Sequence, residues 1–258
     1  FQIRNDQMLV STKAVIGCSL ENGEGSVGTV HDLFFNDQSW VVRYLVVSTG
    51  SWLGGRHVLL PPTAVEQRDW PNRRLWVPLT QQQMKDSPEV DTDKPVSRQK
   101  EMQLDQYPAW TPVGGVVPPI AGASAGVAAP SHEAKNVEGD SHLRSVNEVT
   151  GYHIEATDGS VGHVEELIMD DEGDLHGPWE FRYLVVDTRN WLPGRKVLVA
   201  PRWAESISWD ERKVRADLSQ QQIKDAPEYN PDIPINRRFE EILFDYYGRP
   251  KYWVGHST

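Results

Sequence analysis

The chain has 258 residues, of which 38% are hydrophobic and 24% are charged, and its formal net charge is −11. This length and composition indicate a soluble globular protein of one or two domains, and the acidic excess argues against nucleic acid or an anionic membrane as its partner. The single cysteine, Cys18, excludes an intramolecular disulfide and a zinc site built on several thiolates.

Changes in composition divide the chain into three parts. Residues 1–7 are polar and carry no secretory signal sequence, so the first domain is expected to begin at residue 8. Residues 112–130 are uncharged, but their prolines and glycines argue against a membrane span. We therefore predict a first domain at residues 8–111, a flexible Pro/Gly/Ala-rich linker at 112–140 and a second domain at 141–258, in a cytoplasmic protein without membrane insertion.

The first domain is predicted to consist of short strands. Gly25-Ser26-Val27-Gly28 indicates a tight turn or bulge, and dense β-branched and aromatic residues follow it. Thr80 and Gln83 fit a capping box at the start of a short helix that ends before Pro88. The predicted strands lie at residues 29–35, 40–48, 57–60, 65–70 and 75–77.

The second domain repeats the motifs of the first in the same order. Gly25-Ser26-Val27-Gly28 recurs 134 residues later, and Arg43-Tyr44-Leu45-Val46-Val47 recurs 139 residues later. QQQMKDSPE (81–89) likewise corresponds to QQQIKDAPE (220–228). The offset changes within 170–180, where the second copy has a longer acidic loop. Ordered matches of this kind indicate a tandem duplication.

These motifs resemble the PRC-barrel domain, which occurs in the cytoplasmic part of the photosynthetic reaction-centre H subunit and in the C-terminal half of a bacterial ribosome-maturation factor. The resemblance covers residues 10–90 and 144–229. It implies a small antiparallel β-barrel that acts through protein–protein contact and has no shared enzymatic activity. The chain lacks the transmembrane helix of the first protein and the N-terminal domain of the second, so neither role carries over. It is more similar to the tandem PRC-barrel proteins of bacteria.

The predicted fold class is therefore mainly β. Two small antiparallel barrels stand in tandem, each followed by a short helix, and a C-terminal amphipathic helix ends the chain.

One group of residues could suggest a catalytic triad. Asp158, Ser160 and His163 lie close together in the sequence, but they fall on one strand and its turn, and the first copy has no histidine at the matching position. We interpret them as turn residues and predict no catalytic site.

Another group could suggest a metal site. Asp170, Glu172 and Asp174 alternate like the start of a calcium loop, but Leu175 and Phe181 stand where such a loop needs glycine and glutamate. The three histidines of this region lack ligand spacing: His153, His163 and His176. No metal or other cofactor is expected, although weak cation binding at 170–180 stays open.

The paired turns of the two copies contain candidate interaction residues, Trp52 with Arg56 and Trp191 with Arg195. Tryptophan and arginine are favoured at interface hot spots. The alternative is that each tryptophan covers the mouth of its own barrel.

The segment 235–247 is predicted to form an amphipathic helix. Its apolar stripe consists of Ile235, Phe239, Ile242, Leu243 and Tyr246. Such a stripe requires a cover, which is either the chain's own barrels or a second subunit.

The predicted function is a non-enzymatic protein-interaction, scaffold or regulatory module with a protein partner. The two barrels are expected to pair within the chain, and a homo-oligomer is possible. The alternative function is a sensor that binds a small ligand or metal through a barrel mouth or the acidic hairpin. The second domain is the more acidic one, because residues 141–258 contain 14 basic and 21 acidic residues, a net charge of −7.

Overall fold

The computed structural model describes residues 9–50, 54–86, 142–171, 177–188 and 195–254. The predicted linker at 112–140 lies outside these ranges, so the domain boundaries stay a prediction. No helix in the described ranges is long and apolar enough to cross a membrane.

Short strands dominate both repeats, which confirms the prediction of a mainly β protein, and they form two sheets. The first repeat contains β1 (Leu9–Ser11), α1 (Thr12–Val15), β2 (Ser19–Asn22), β3 (Gly25–Asn36), β4 (Val42–Ser48), β5 (His57–Leu60), β6 (Gln67–Asp69), β7 (Arg74–Trp76) and α2 (Gln81–Asp86). The second repeat contains β8 (Leu143–Ser145), α3 (Val146–Val149), β9 (His153–Ala156), β10 (Gly159–Asp170), β11 (Glu180–Asp187), β12 (Lys196–Val199), β13 (Ala204–Ser208), β14 (Lys213–Ala216), α4 (Gln220–Lys224) and α5 (Arg237–Tyr247).

The two sheets have the same strand order. The first runs β5-β4-β3-β2-β7-β6, and the second runs β12-β11-β10-β9-β14-β13. Two features differ from a closed, fully antiparallel barrel. Among the described strands no pairing joins β5 to β6, or β12 to β13, so hydrogen bonding does not close either sheet. The pairs β2–β7 and β9–β14 are parallel. The hairpins β6–β7 and β13–β14, which follow β5 and β12 in the chain, cross to the far end of their sheets.

Each sheet also contains a strand from the other repeat. β1 pairs antiparallel with β10 of the second repeat, with Val10 opposite Met169. β8 pairs antiparallel with β3 of the first repeat, with Arg144 opposite Phe35. The two repeats therefore exchange their first strands reciprocally. The pairing satisfies backbone groups along β3 and β10 that an isolated repeat would leave exposed.

The cores of the repeats meet next to the exchanged strands. The Phe35 and Phe181 rings form an edge-to-face pair with centroids 5.1 Å apart. Two backbone hydrogen bonds cross the same boundary, from Val42 N to Trp179 O (2.7 Å) and from Phe181 N to Trp40 O (2.8 Å). Aromatic contact and backbone pairing thus join the two sheets directly.

The capping box predicted from Thr80 and Gln83 is confirmed, and the second repeat contains the equivalent one. Before α2, Gln83 N donates to Thr80 Oγ1 (3.2 Å) and Thr80 N donates to Gln83 Oε1 (2.9 Å). Ser219 and Gln222 make the same reciprocal pair before α4. Each pair satisfies donors at a helix start that have no partner inside the helix.

Candidate functional site

The two arginines predicted from the paired turns bind carbonyls near short helices, Arg56 in the last turn of α2 and Arg195 two residues beyond α4. Arg56 Nη1 donates to the carbonyl of Lys85 (3.1 Å), and Arg195 Nη2 donates to the carbonyl of Ala226 (2.6 Å). A cation at a helix C-terminus satisfies free carbonyls and opposes the helix dipole. The structure thus gives both arginines a role in their own repeat. Trp52 and Trp191 lie outside the described residues, and an interface role for all four stays a prediction.

Helix α5 lies against its own chain, but its buried face differs from the predicted stripe. Leu243 is buried, and Ile235 and Phe239 pack at the edge of the core, whereas the side chains of Ile242 and Tyr246 are 51% and 40% exposed. The buried face of the helix consists of Glu240, Leu243, Phe244 and Tyr247. These positions follow the i, i+3, i+4, i+7 pattern of one helical face.

A buried carboxylate explains why the sequence pattern misses this face. Glu240 Oε1 accepts hydrogen bonds from the hydroxyls of Tyr183 (2.6 Å) and Tyr252 (2.7 Å), and its other oxygen pairs with Arg237 (2.8 Å). Burial, reinforced by the nearby Glu240 charge, raises the pKa of both tyrosine hydroxyls well above their usual value. A glutamate with three partners therefore occupies a core position that hydropathy assigns to solvent.

The residues considered for catalysis have structural partners. Asp158 accepts a hydrogen bond from the backbone N of Gln220 at the start of α4 (2.6 Å), and Ser160 Oγ donates to the carbonyl of Ile154 (3.4 Å). The described ranges contain no group of three or more His, Cys, Asp or Glu side chains placed to hold a metal. Glu172, Asp174 and His176 lie outside those ranges.

A cleft of about 640 Å³ opens between the two repeats. One wall is the β3–β4 turn of the first repeat, residues 37–40, together with His142 and Arg144 of the exchanged segment. The other wall is the outer strand β13 and the following residue Trp209. Because His142 and Arg144 reach the first repeat only through strand exchange, this exchange builds the cleft.

Electrostatic contacts fix the first wall. Asp37 pairs with Arg144 Nε (2.9 Å) through one carboxylate oxygen and with His142 Nδ1 (2.9 Å) through the other. The guanidinium of Arg144 then stacks on the Trp209 ring at 3.8 Å from its centroid. A charged pair and a cation–π contact thus link the turn, the exchanged strand and the second repeat.

The equivalent residues beside the other exchanged strand, β1, are arranged differently. Asp171 and Trp70 correspond to Asp37 and Trp209. There Trp70 Nε1 donates directly to Asp171 Oδ2 (3.0 Å), and the Trp70 ring lies 5.7 Å from Trp179. Val10 occupies the position of Arg144, and Asp171 is bound instead by Arg68, whose Nη1 lies 3.4 Å from Asp171 Oδ2. Arg144 therefore separates Trp209 from Asp37, whereas the equivalent tryptophan and aspartate touch.

The backbone at the base of the cleft is strained. Trp40 has a φ of 60°, in the left-handed region that bulky residues rarely adopt, and its side chain is 8% exposed. Hydrogen bonds from Trp40 N to Asn36 O and from Phe181 N to Trp40 O hold this conformation. Strain of about 1–3 kcal/mol at one residue persists only where its surroundings enforce it, and such residues cluster at functional sites.

Comparison with known families assigns the first repeat. The family model for the PRC-barrel domain matches residues 11–83. Residues 11–83 form a PRC-barrel domain. A search for similar curated proteins finds no match. A PRC-barrel domain indicates a binding or scaffold module in general, and the match extends from the end of β1 into α2 of this chain.

The cleft itself was not predicted. Its signal in the sequence is a set of differences between otherwise matched copies: His142 and Arg144 stand at the positions of Met8 and Val10, and Ile207 stands at that of Arg68. These differences indicate a cleft only once β8 is known to pair with β3 of the first repeat.

Proposed function

We propose that this chain is a non-enzymatic protein-binding module and that its partner binds in the cleft between the repeats. The PRC-barrel domain at residues 11–83 supports a binding role in general. The cleft volume of about 640 Å³ lies within the range typical of binding sites. Its walls present tryptophan and arginine, the residue types that dominate binding energy at interfaces.

The proposal rests on the difference between the pair Trp209–Asp37 and the equivalent pair Trp70–Asp171. Trp70 contacts Asp171 directly, whereas Arg144 holds Trp209 away from Asp37 and leaves space beside it. A duplicated structure would give two equal positions unless the sequence had changed at one of them. The change to arginine builds a rigid, polar-and-aromatic wall, which suits recognition.

The ionic pairing in the cleft favours binding over chemical turnover. Asp37 is held by Arg144 and His142, and Glu180 pairs with Arg182 Nη1 (2.6 Å). A general acid or base must contact its substrate directly, whereas both carboxylates already contact cationic side chains of the protein. These carboxylates instead position the wall of the cleft.

Affinity capture with the immobilised full-length chain tests this proposal. Ile207→Asp places a charge in the cleft, Ile242→Asp places one on the outer face of α5, and Ile233→Asp is a matched control at another exposed isoleucine. We expect proteins retained from an extract of the source cells by the wild-type chain to be lost with Ile207→Asp alone. Retention by Ile207→Asp, or loss with Ile242→Asp instead, contradicts a binding site in the cleft.

A further inference from the structure

We infer that the partner contributes an extended peptide segment, which joins the second sheet as an additional strand along the outer edge of β13. This inference rests on the proposed function of the cleft and specifies how the partner is held. It assigns the binding energy to main-chain hydrogen bonds along one edge, with side-chain contacts on either side of them.

Strand β13 lies along the cleft. Four consecutive residues, Ala204, Glu205, Ser206 and Ile207, line the cleft. The register against β14 shifts between Ala204 and Ser206 but is regular at Ser206 and Ile207. Successive side chains of a regular strand point to opposite faces of its sheet, so a cleft lined by both Ser206 and Ile207 meets the strand at its edge.

The second feature of β13 is its position in its sheet. β13 is the terminal strand of the second sheet, and among the described strands it pairs with β14 alone. A terminal strand presents backbone N–H and C=O groups along its outer side. An extended peptide satisfies those groups, whereas a compact ligand satisfies only one or two of them.

The opposite wall fits the side chains of such a strand. Trp40 and Phe181 form a largely buried apolar base, and Trp209 is fixed by the guanidinium of Arg144. An added strand directs alternate side chains toward this base and toward solvent. The segment is therefore expected to carry apolar residues at every second position.

Charge indicates what lies between those apolar residues. Glu205 is exposed beside the edge, and the repeat that contains it carries a net charge of −7. Arg202 also lines the cleft, but its guanidinium lies over the Tyr252 ring at 5.1 Å and 3.9 Å from Glu180. The expected partner segment is thus basic and apolar in alternation, and it is attracted by the acidic second repeat.

The probe for this inference is the synthetic peptide acetyl-Lys-Val-Lys-Val-Lys-Val-amide, titrated into the 15N-labelled full-length chain. We expect amide shift changes centred on residues 204–208. The same peptide N-methylated at every residue keeps its charge and loses its N–H donors, so it is expected not to bind. Equal binding of the methylated peptide, or shift changes elsewhere, overturns strand addition.

A matched pair of variants tests the side-chain contribution. Glu205 and Glu66 are exposed and occupy equivalent positions in the two repeats. Glu205→Lys should weaken peptide binding about tenfold, while Glu66→Lys should leave it within about twofold. Equal effects of the two variants overturn the assignment to β13.

The outcomes separate this inference from the proposed function. If the peptide fails to bind but Ile207→Asp still abolishes capture of cellular proteins, the cleft binds a partner in another way and only the strand-addition inference fails. If Ile207→Asp captures the same proteins as the wild-type chain, the proposed function fails as well.

Discussion

Ser145 of the second repeat donates a hydrogen bond to the buried carboxylate of Asp32 in the first repeat. Ser11 and Glu166 make the reciprocal contact, so the same pair of positions fixes both exchanged strands. Ser145 Oγ also accepts from the backbone N of Glu148 (3.1 Å) and thereby caps α3. One hydroxyl thus fixes the end of the exchanged strand, the start of the next helix and a buried carboxylate together.

The Asp32 contact predicts a specific pH dependence of stability. Burial raises the pKa of the Asp32 carboxyl from 3.8 to about 6, although Ser145, Asn147 and Leu33 donate hydrogen bonds to it. Between these values the folded state holds a proton that the unfolded state has lost. This group's contribution to the free energy of unfolding is therefore full below pH 3.8 and is lost as the pH rises through 6.

Asp32→Asn removes this titration while keeping the shape of the side chain. From pH 4 to pH 7 the free energy of unfolding of the wild-type chain should fall by about 2–3 kcal/mol relative to the variant. Urea denaturation at several pH values, followed by tryptophan fluorescence, measures the difference. Parallel pH profiles for the two proteins would show that Asp32 is not buried as described.

Two equivalent glycines are expected to resist substitution because strands approach their backbones. A Cβ on Gly162 would lie 2.3 Å from the carbonyl oxygen of Asp187, at a φ of +154°. A Cβ on Gly28 would lie 2.6 Å from Val47 Cγ1 and 2.8 Å from Ser48 O. Gly162→Ala and Gly28→Ala should each lower the free energy of unfolding by about 2–3 kcal/mol.

The control for these variants is Gly23→Ala, since a Cβ there meets no heavy atom within 4 Å. Its free energy of unfolding should stay within about 0.5 kcal/mol of the wild-type value. Equal stability of all three variants would contradict the close approach of β3 to β4 and of β10 to β11.

The buried carboxylate of α5 gives a third prediction. Glu240→Ala leaves the fully buried hydroxyl of Tyr183 without its acceptor and removes the ion pair with Arg237. We expect a loss of about 3 kcal/mol in the free energy of unfolding. Glu241→Ala, at the next and exposed position, should change it by less than about 0.5 kcal/mol. Thermal or urea denaturation compares the two, and similar values would contradict the buried network.

Much of the fold could be predicted from local patterns. Gly-Ser-Val-Gly, Arg-Tyr-Leu-Val-Val and the Thr80/Gln83 capping box each depend on neighbouring residues, and each recurs in the second copy. Strand type, turn position and helix start follow from such short-range chemistry. The resemblance to the PRC-barrel domain depends on the same motifs, and the family match at residues 11–83 confirms it for the first repeat.

The long-range arrangement could not be predicted in the same way. From the sequence, Val10 can face either Met169 or the equivalent Phe35, because the two repeats offer nearly identical strands. The alternation of apolar and polar residues does not distinguish these two pairings. The cleft depends on this choice, since Arg144 reaches Asp37 only if the strands are exchanged. The buried face of α5 was missed for another reason, because Glu240 is satisfied by partners distant in sequence.

Reciprocal strand exchange is the central claim, because it delivers Arg144 and His142 to the cleft. A disulfide between Val10→Cys and Met169→Cys tests it in a full-length chain that carries Cys18→Ala and a protease site in the predicted linker at 112–140. The control chain carries Val10→Cys with Phe35→Cys, the pair that would face each other if each repeat kept its own strand. After oxidation and cleavage of the linker, a non-reducing denaturing gel should show the two fragments of the first chain still joined, while the control keeps free thiols. Separation of the fragments, together with disulfide formation in the control, would contradict the exchange.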